Sequence, residues 1–135
     1  MLTRLTKKRG GFTLVEIMIV VAIIALLAAI AVPGFLRARK RSQASRIIND
    51  LRLIDAAVDQ YAVENNKTAG ASVPTDAWTA YLKQGSVLYN TGKDLFSNAY
   101  GPQTVDTLPT VPKASYDTLS DVADSTFFAP YTIGL

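Results

Sequence analysis

Residues 10–35, GGFTLVEIMIVVAIIALLAAIAVPGF, form an oily run broken near its start by one acid, Glu16. From Ile17 to Leu36 there are twenty residues without a charge. At about 1.5 Å per residue that length matches a hydrocarbon core of about 30 Å. Residues 12–36 therefore read as a single membrane-spanning helix. An unpaired carboxylate in hydrocarbon is expensive, so Glu16 is a functional candidate that needs a partner.

Working outward, the charges on either side of this run are unlike those of an ordinary soluble domain. Arg4, Lys7, Lys8 and Arg9 precede it and no acid occurs before Glu16. Removing these four from the fourteen basic residues leaves ten against eleven acids, so the basicity of the chain belongs to a leader, residues 1–11. A secretory signal also opens on a cationic patch, and Ala29-Ile30-Ala31 has the form of its cleavage site. The apolar run ahead of that site is too long for such a signal and follows closely on Glu16, which favours a retained anchor. Beyond the run stand Arg37, Arg39, Lys40 and Arg41, so counting flanking cations does not orient the span. These side chains suit headgroup anchoring or acids on a neighbouring chain.

Apolar residues then recur at Ala44, Ile47, Ile48, Leu51, Ile54, Val58, Tyr61 and Ala62, the helical period, with Asp50, Asp55 and Asp59 on a wet flank. Residues 37–66 are expected to continue the membrane helix as an amphipathic one, ending in Asn65-Asn66-Lys67-Thr68-Ala69-Gly70. A helix over 12–65 would be about 80 Å long, too long for a small domain to cover, and so it needs partners. Pro33-Gly34 is its weak point, where a kink or local unwinding is expected.

Residues 67–135 change character, with Pro, Gly, Ser, Thr and Asn between short apolar runs. Pro74–Lys83 predicts a short helix with Trp78 and Leu82 on one face and Gly85 ending it. Thr104–Leu108 is a strand candidate broken by Pro109 and Pro112. So few residues cannot close a core alone, and the economical arrangement is α+β: a long N-terminal helix packed against a small irregular antiparallel sheet head.

The chain has no cysteine and no histidine. Thiol nucleophiles, disulfides, imidazole-based triads and the usual transition-metal ligands are thereby excluded. No basic stripe interleaved with aromatics follows the leader, so direct nucleic-acid binding is not expected. Nor is there a P-loop, so any ATP-driven step belongs to another protein.

The stretch KKRGGFTLVEIMIVVAIIALLAAIAVPGF resembles the N-terminal signature of type IV prepilins and the pseudopilins of type II secretion. In that family a basic leader ends in glycine, the mature chain starts with phenylalanine, glutamate follows four residues later, and a proline lies near the end of the span. Here those positions are Gly11, Phe12, Glu16 and Pro33. The resemblance implies that a prepilin peptidase cuts between Gly11 and Phe12 and methylates the new amine of Phe12. Cutting ahead of the oily helix leaves the anchor in place. A Glu16 carboxylate meeting the Phe12 amine of a neighbouring subunit then neutralises two costly charges and sets the register of an otherwise featureless bundle, while Ala22, Ala25, Ala28, Ala29 and Ala31 allow close approach.

Asp94-Leu95-Phe96-Ser97-Asn98-Ala99-Tyr100-Gly101 resembles the Asp-x-aromatic-Gly-Asn-Pro-Tyr stretch of major pseudopilins, with Ser97 and Ala99 in place of glycine and proline. It reads as a turn with Asn98 and Gly101 in permissive conformations and Phe96 and Tyr100 packed inward. Major pseudopilins often bind calcium. Asp117, Asp121 and Asp124 offer the hard oxygen ligands for it, though at no EF-hand spacing, and a solvated acidic helix start accounts for them better.

The expected protein is a non-enzymatic filament subunit, processed by prepilin peptidase and assembled through its N-terminal helix. It would be anchored once in a bacterial inner membrane with a periplasmic head, and then built into a type IV pilus or secretion pseudopilus. The implied partners are further copies of the chain, minor pilins or pseudopilins, an assembly ATPase and inner-membrane platform proteins. No cofactor is required beyond the calcium candidate. The alternative is a membrane-tethered binding module that does not polymerise.

Overall fold

The computed structural model describes residues 10–135. The leader cations Arg4 to Arg9 lie outside the described residues. The chain divides into two compact units, one ending at Leu36 and one comprising Arg37–Leu135.

Helix α1 runs over Leu14–Glu64, 51 residues. It continues without a break through Pro33 and Gly34, so the expected local unwinding does not occur. Proline costs the helix one backbone bond, but unwinding would free several more amides and carbonyls among apolar side chains that offer them nothing. Propagation of the hydrogen-bonded turns on both sides carries the backbone through. The far end of α1 closes as the Asn-rich stretch predicts. Asn66 adopts a left-handed φ of 50° and the Lys67 amide donates to the Ala62 carbonyl at 2.9 Å, a Schellman-type stop.

In the second unit the spacing of apolar residues along α1 becomes a buried stripe. Ala44, Ile47, Leu51 and Ile54 are fully covered, and Ala57, Val58 and Ala62 nearly so. The strands are β1 (Ser72–Val73) and β2 (Gln103–Thr104), paired antiparallel with Ser72 opposite Thr104. The Val105 amide extends the ladder by one bond to the Ala71 carbonyl at 3.0 Å. The strand expected over Thr104–Leu108 is cut short because Asp106 takes a left-handed φ of 60° and the Thr107 amide turns back onto Thr104. This sheet is smaller than the expected one, but the α+β, pilin-like class stands.

Three short helices complete the head: α2 (Thr75–Thr79), α3 (Val87–Thr91) and α4 (Lys113–Leu119). The helix expected over Pro74–Lys83 ends early. The Tyr81 and Leu82 amides donate three residues back, to Trp78 and Thr79, which tightens the chain into turns well before Gly85. Trp78 is fully buried, and its indole N–H donates to the Gly101 carbonyl at 3.1 Å. Helix α3 lies outside the expected elements; Ser86 caps it by accepting the Tyr89 amide and Gly92 ends it at φ 61°. A Cβ at Gly92 would lie 2.7 Å from Thr75 Cγ2, so this position needs glycine for space as well as for its backbone angle.

No cysteine clasps the C-terminal segment. The Val111 amide donates to the Thr132 carbonyl, and the Gly134 amide to the Val111 carbonyl, both at 2.8 Å. Phe128, fully buried, meets Tyr116 and Phe127 edge-on, so aromatic packing and backbone pairing hold the end of the chain.

Candidate assembly site

Among the described residues nothing folds over the helix of the first unit. Phe12 is 85% exposed, and the apolar side chains from Leu14 to Leu36 are exposed on every face. Among the described residues α1 is the helix long and apolar enough to cross a membrane. A helix apolar all round belongs inside a bilayer or a bundle.

At its start Thr13 and Glu16 form a reciprocal pair. The Thr13 amide donates to Glu16 Oε2 at 2.8 Å, and the Glu16 amide donates to Thr13 Oγ1 at 3.2 Å. This is a capping box, in which two amides left over at a helix start are satisfied by side chains three residues apart. The Thr13-x-x-Glu16 spacing is its signature in the sequence, a local signal separate from the charge of Glu16. Glu16 thus has a local role in its own subunit, and its negative charge at a helix start gains from the backbone dipole. Gly11 and Phe12 lie just ahead of the helix and are exposed, and Pro33 is exposed inside it. A cap at Thr13 keeps the Gly11–Phe12 bond out of helical hydrogen bonding.

The second resemblance stretch is a tied turn. Asp94 is buried, and its Oδ1 accepts the Phe96 and Asn98 amides at 2.8 and 2.9 Å. The Ser115 hydroxyl donates to Oδ2, and Asn98 Nδ2 donates to Ser115 Oγ at 2.7 Å, which fastens the turn to α4. Gly101 is left-handed as expected, at φ 71°, but the other permissive position is Ser97, φ 66°, and not Asn98. Ser97 occupies the place where the resembled stretch has glycine, so the backbone keeps that conformation without the residue best suited to it. Tyr100 is buried and Phe96 half-buried. The Tyr100 hydroxyl lies 3.3 Å from Asp50 Oδ2, and burial, above all, holds the Asp50 carboxyl above its ordinary range.

The three calcium candidates do not converge. Asp117 lies late in α4 and faces Lys113 one turn back at 3.3 Å, so it is no acidic helix start. Asp121 pairs with Lys40 at 2.8 Å, and that bond holds its carboxyl below the usual range. Asp124 accepts the Thr126 hydroxyl and the Phe127 amide. Each has its own partner because α4 ends between them, and no group of three acidic ligands gathers among the described residues. Of the basic cluster, Lys40 is thus committed to the head, and the Arg41 guanidinium stacks on Phe127, 5.4 Å from the ring centre.

A capped, apolar, uncovered helix carrying one acid and rooted in a small head is the arrangement of a pilin-type subunit. Comparison with known proteins agrees. The family profile described as prokaryotic N-terminal methylation motif matches residues 6–32. A fimbrial protein of Pseudomonas aeruginosa is 32% identical over 113 residues, covering 81% of this chain and 72% of the relative. The type II secretion system core protein G of Vibrio cholerae is 28% identical over 102 residues, 70% of each chain. A type IV major pilin protein of Neisseria gonorrhoeae is 40% identical over 84 residues, 57% of this chain and 51% of the relative. No solved structure is significantly similar. The chain belongs to the family of type IV pilins and type II secretion pseudopilins, and as such is a structural subunit of a filament. A tethered module that does not polymerise is not favoured.

Proposed function

We propose that this chain is a filament subunit cut between Gly11 and Phe12, methylated at Phe12, held once in a bacterial inner membrane with its head in the periplasm, and extracted from there into the filament. The observation that carries it is the exposed apolar helix with a single capped carboxylate, Glu16, one turn from Phe12. The cap alone would be served by glutamine as well, so inside a bilayer or a bundle the charge of Glu16 calls for a cation, and the amine released at Phe12 of a neighbouring copy supplies one. No catalysis is assigned, and the reading requires no cofactor. Its partners are further copies, minor subunits, the prepilin peptidase, an assembly ATPase and a membrane platform.

Glu16→Gln tests the charge apart from the cap. Glutamine also serves in a capping box, so the helix start survives while the charge goes. Filaments should be lost with the head still folded. The mature N-terminus, read by mass spectrometry, should be methylated Phe12; an unprocessed or downstream-cleaved chain would overturn the reading. The type of filament is decided by shearing cells. Shed fibres containing this chain mark a surface pilus, to which the coverage of the fimbrial relative points. Fibres confined to the periplasm mark a secretion pseudopilus, to which the Asp94–Gly101 turn points.

A further inference from the structure

The head leaves an apolar groove open beside α1. Leu53, Ala56 and Gln60, three and four residues apart on the helix, form one wall, and Tyr81, Leu82 and Leu88 the other, around a cavity of about 340 Å³. Leu53 remains 46% exposed there. The charge lining the groove is Lys83, which is exposed and makes no ion pair among the described residues. Glu64 stands close by but is engaged, accepting the Tyr81 hydroxyl at 2.6 Å and the Gln60 amide at 3.2 Å. An adjoining cavity shares Leu53, Ser86 and Leu88 with the groove and adds Arg46 and Lys93, also outside any ion pair among the described residues. Its acids are engaged, Asp50 by Tyr100 and Asp94 by the amides of its turn. The free charge along this side of the head is therefore positive.

The head also carries a projecting element of the opposite kind. Leu108 is exposed, and two residues before it stands Asp106, exposed and without an ion pair among the described residues. Both belong to a backbone pinned on either side. Asp106 is left-handed, the Thr107 amide closes the turn onto the Thr104 carbonyl at 3.2 Å, and Leu108 precedes Pro109, which is buried and which restricts the backbone before it. An apolar side chain held out on a fixed backbone loses little freedom when it is covered.

We infer that the Asp106–Leu108 turn of one copy seats in this groove of a second copy, with Leu108 between Leu53 and Leu82 and Asp106 against Lys83. The inference rests on the filament reading and adds to it a contact between heads. The occupant is a second copy because the turn supplies what the groove lacks: a projecting apolar side chain for the cavity and a free acid for the free cation. Turn and groove are different surfaces, so each copy uses its turn on one neighbour and keeps its groove for another, and such a contact propagates as a fibre requires.

The test uses the full chain as the sole subunit of its kind in the host. Leu108→Ser should lower filament yield about tenfold or more, the effect of one buried leucine per contact, with the melting of the head unchanged. Lys83→Glu should lower it similarly by setting like charges together, and adding Asp106→Asn, which keeps a side chain suited to the left-handed turn, should restore most of it. Because the chain has no cysteine, Lys83→Cys and Asp106→Cys copies expressed together should give a disulfide between positions 83 and 106 of two copies on mild oxidation of filaments, read by mass spectrometry. Normal yield from Leu108→Ser, no recovery in the Lys83→Glu, Asp106→Asn chain, or position 83 linking only to a different polypeptide would overturn this contact and leave the filament reading standing. A wild-type chain that never forms filaments would overturn both.

Discussion

Helix α1 obeys opposite rules at its two ends. From Leu14 to Leu36 every apolar side chain is exposed, and from Arg37 to Glu64 the apolar residues Ala44, Ile47, Leu51 and Ile54 are completely covered. The backbone is the same; what changes is who supplies the apolar surroundings. The head buries its own stripe, whereas the first segment leaves that task to lipid or to other copies. Folding and assembly are therefore written on one helix as separate patterns, a stripe for the first and a full coat for the second.

The largest effects should break one region and spare the other. Trp78→Ala, removing a fully buried indole and its bond to Gly101, should cost the head about 3–5 kcal/mol and abolish its cooperative melt, without changing insertion of the first segment into membranes. Glu16→Gln should do the reverse: assembly falls about a hundredfold if even a modest buried charge pair of about 3 kcal/mol is lost, with the melting temperature of the head unchanged.

Smaller changes sharpen the contrast. Asp94→Ala strips an acceptor from two amides and a hydroxyl and should cost the head about 3 kcal/mol, measured by urea unfolding. Ser97→Gly should act in the opposite direction, stabilising the head by about 0.5–1 kcal/mol, because glycine holds a φ of 66° without strain.

The smallest effect is a pH dependence. Burial raises the Asp50 carboxyl in the folded head, so the unfolded chain gives up its proton first as pH rises. Ionised Asp50 therefore weakens the head above its folded value, and that penalty disappears as pH falls below the ordinary aspartate range. Asp50→Asn keeps an acceptor for Tyr100 and should raise the melting temperature at pH 7 but not at pH 3. An equal rise at both would locate the effect elsewhere.

Much of this was legible in the residues. The coat of Ile17–Leu36, the stripe from Ala44 to Ala62 and the Asn66 stop follow from side-chain period and turn chemistry, which act over a few neighbours and need no knowledge of the rest of the fold. The Thr13–Glu16 box is equally local, but its three-residue spacing is easily overshadowed by the charge that the same acid carries into an oily run. The remainder depended on distance in space. That Ser97 and not Asn98 turns left-handed, that Asp94 reaches Ser115 on α4, that Lys40 takes Asp121, and that Pro33 is carried through without unwinding are outcomes of competition among contacts far apart in the chain or among many bonds at once. No short window of sequence holds both sides of such a competition, so only the folded molecule shows which side wins.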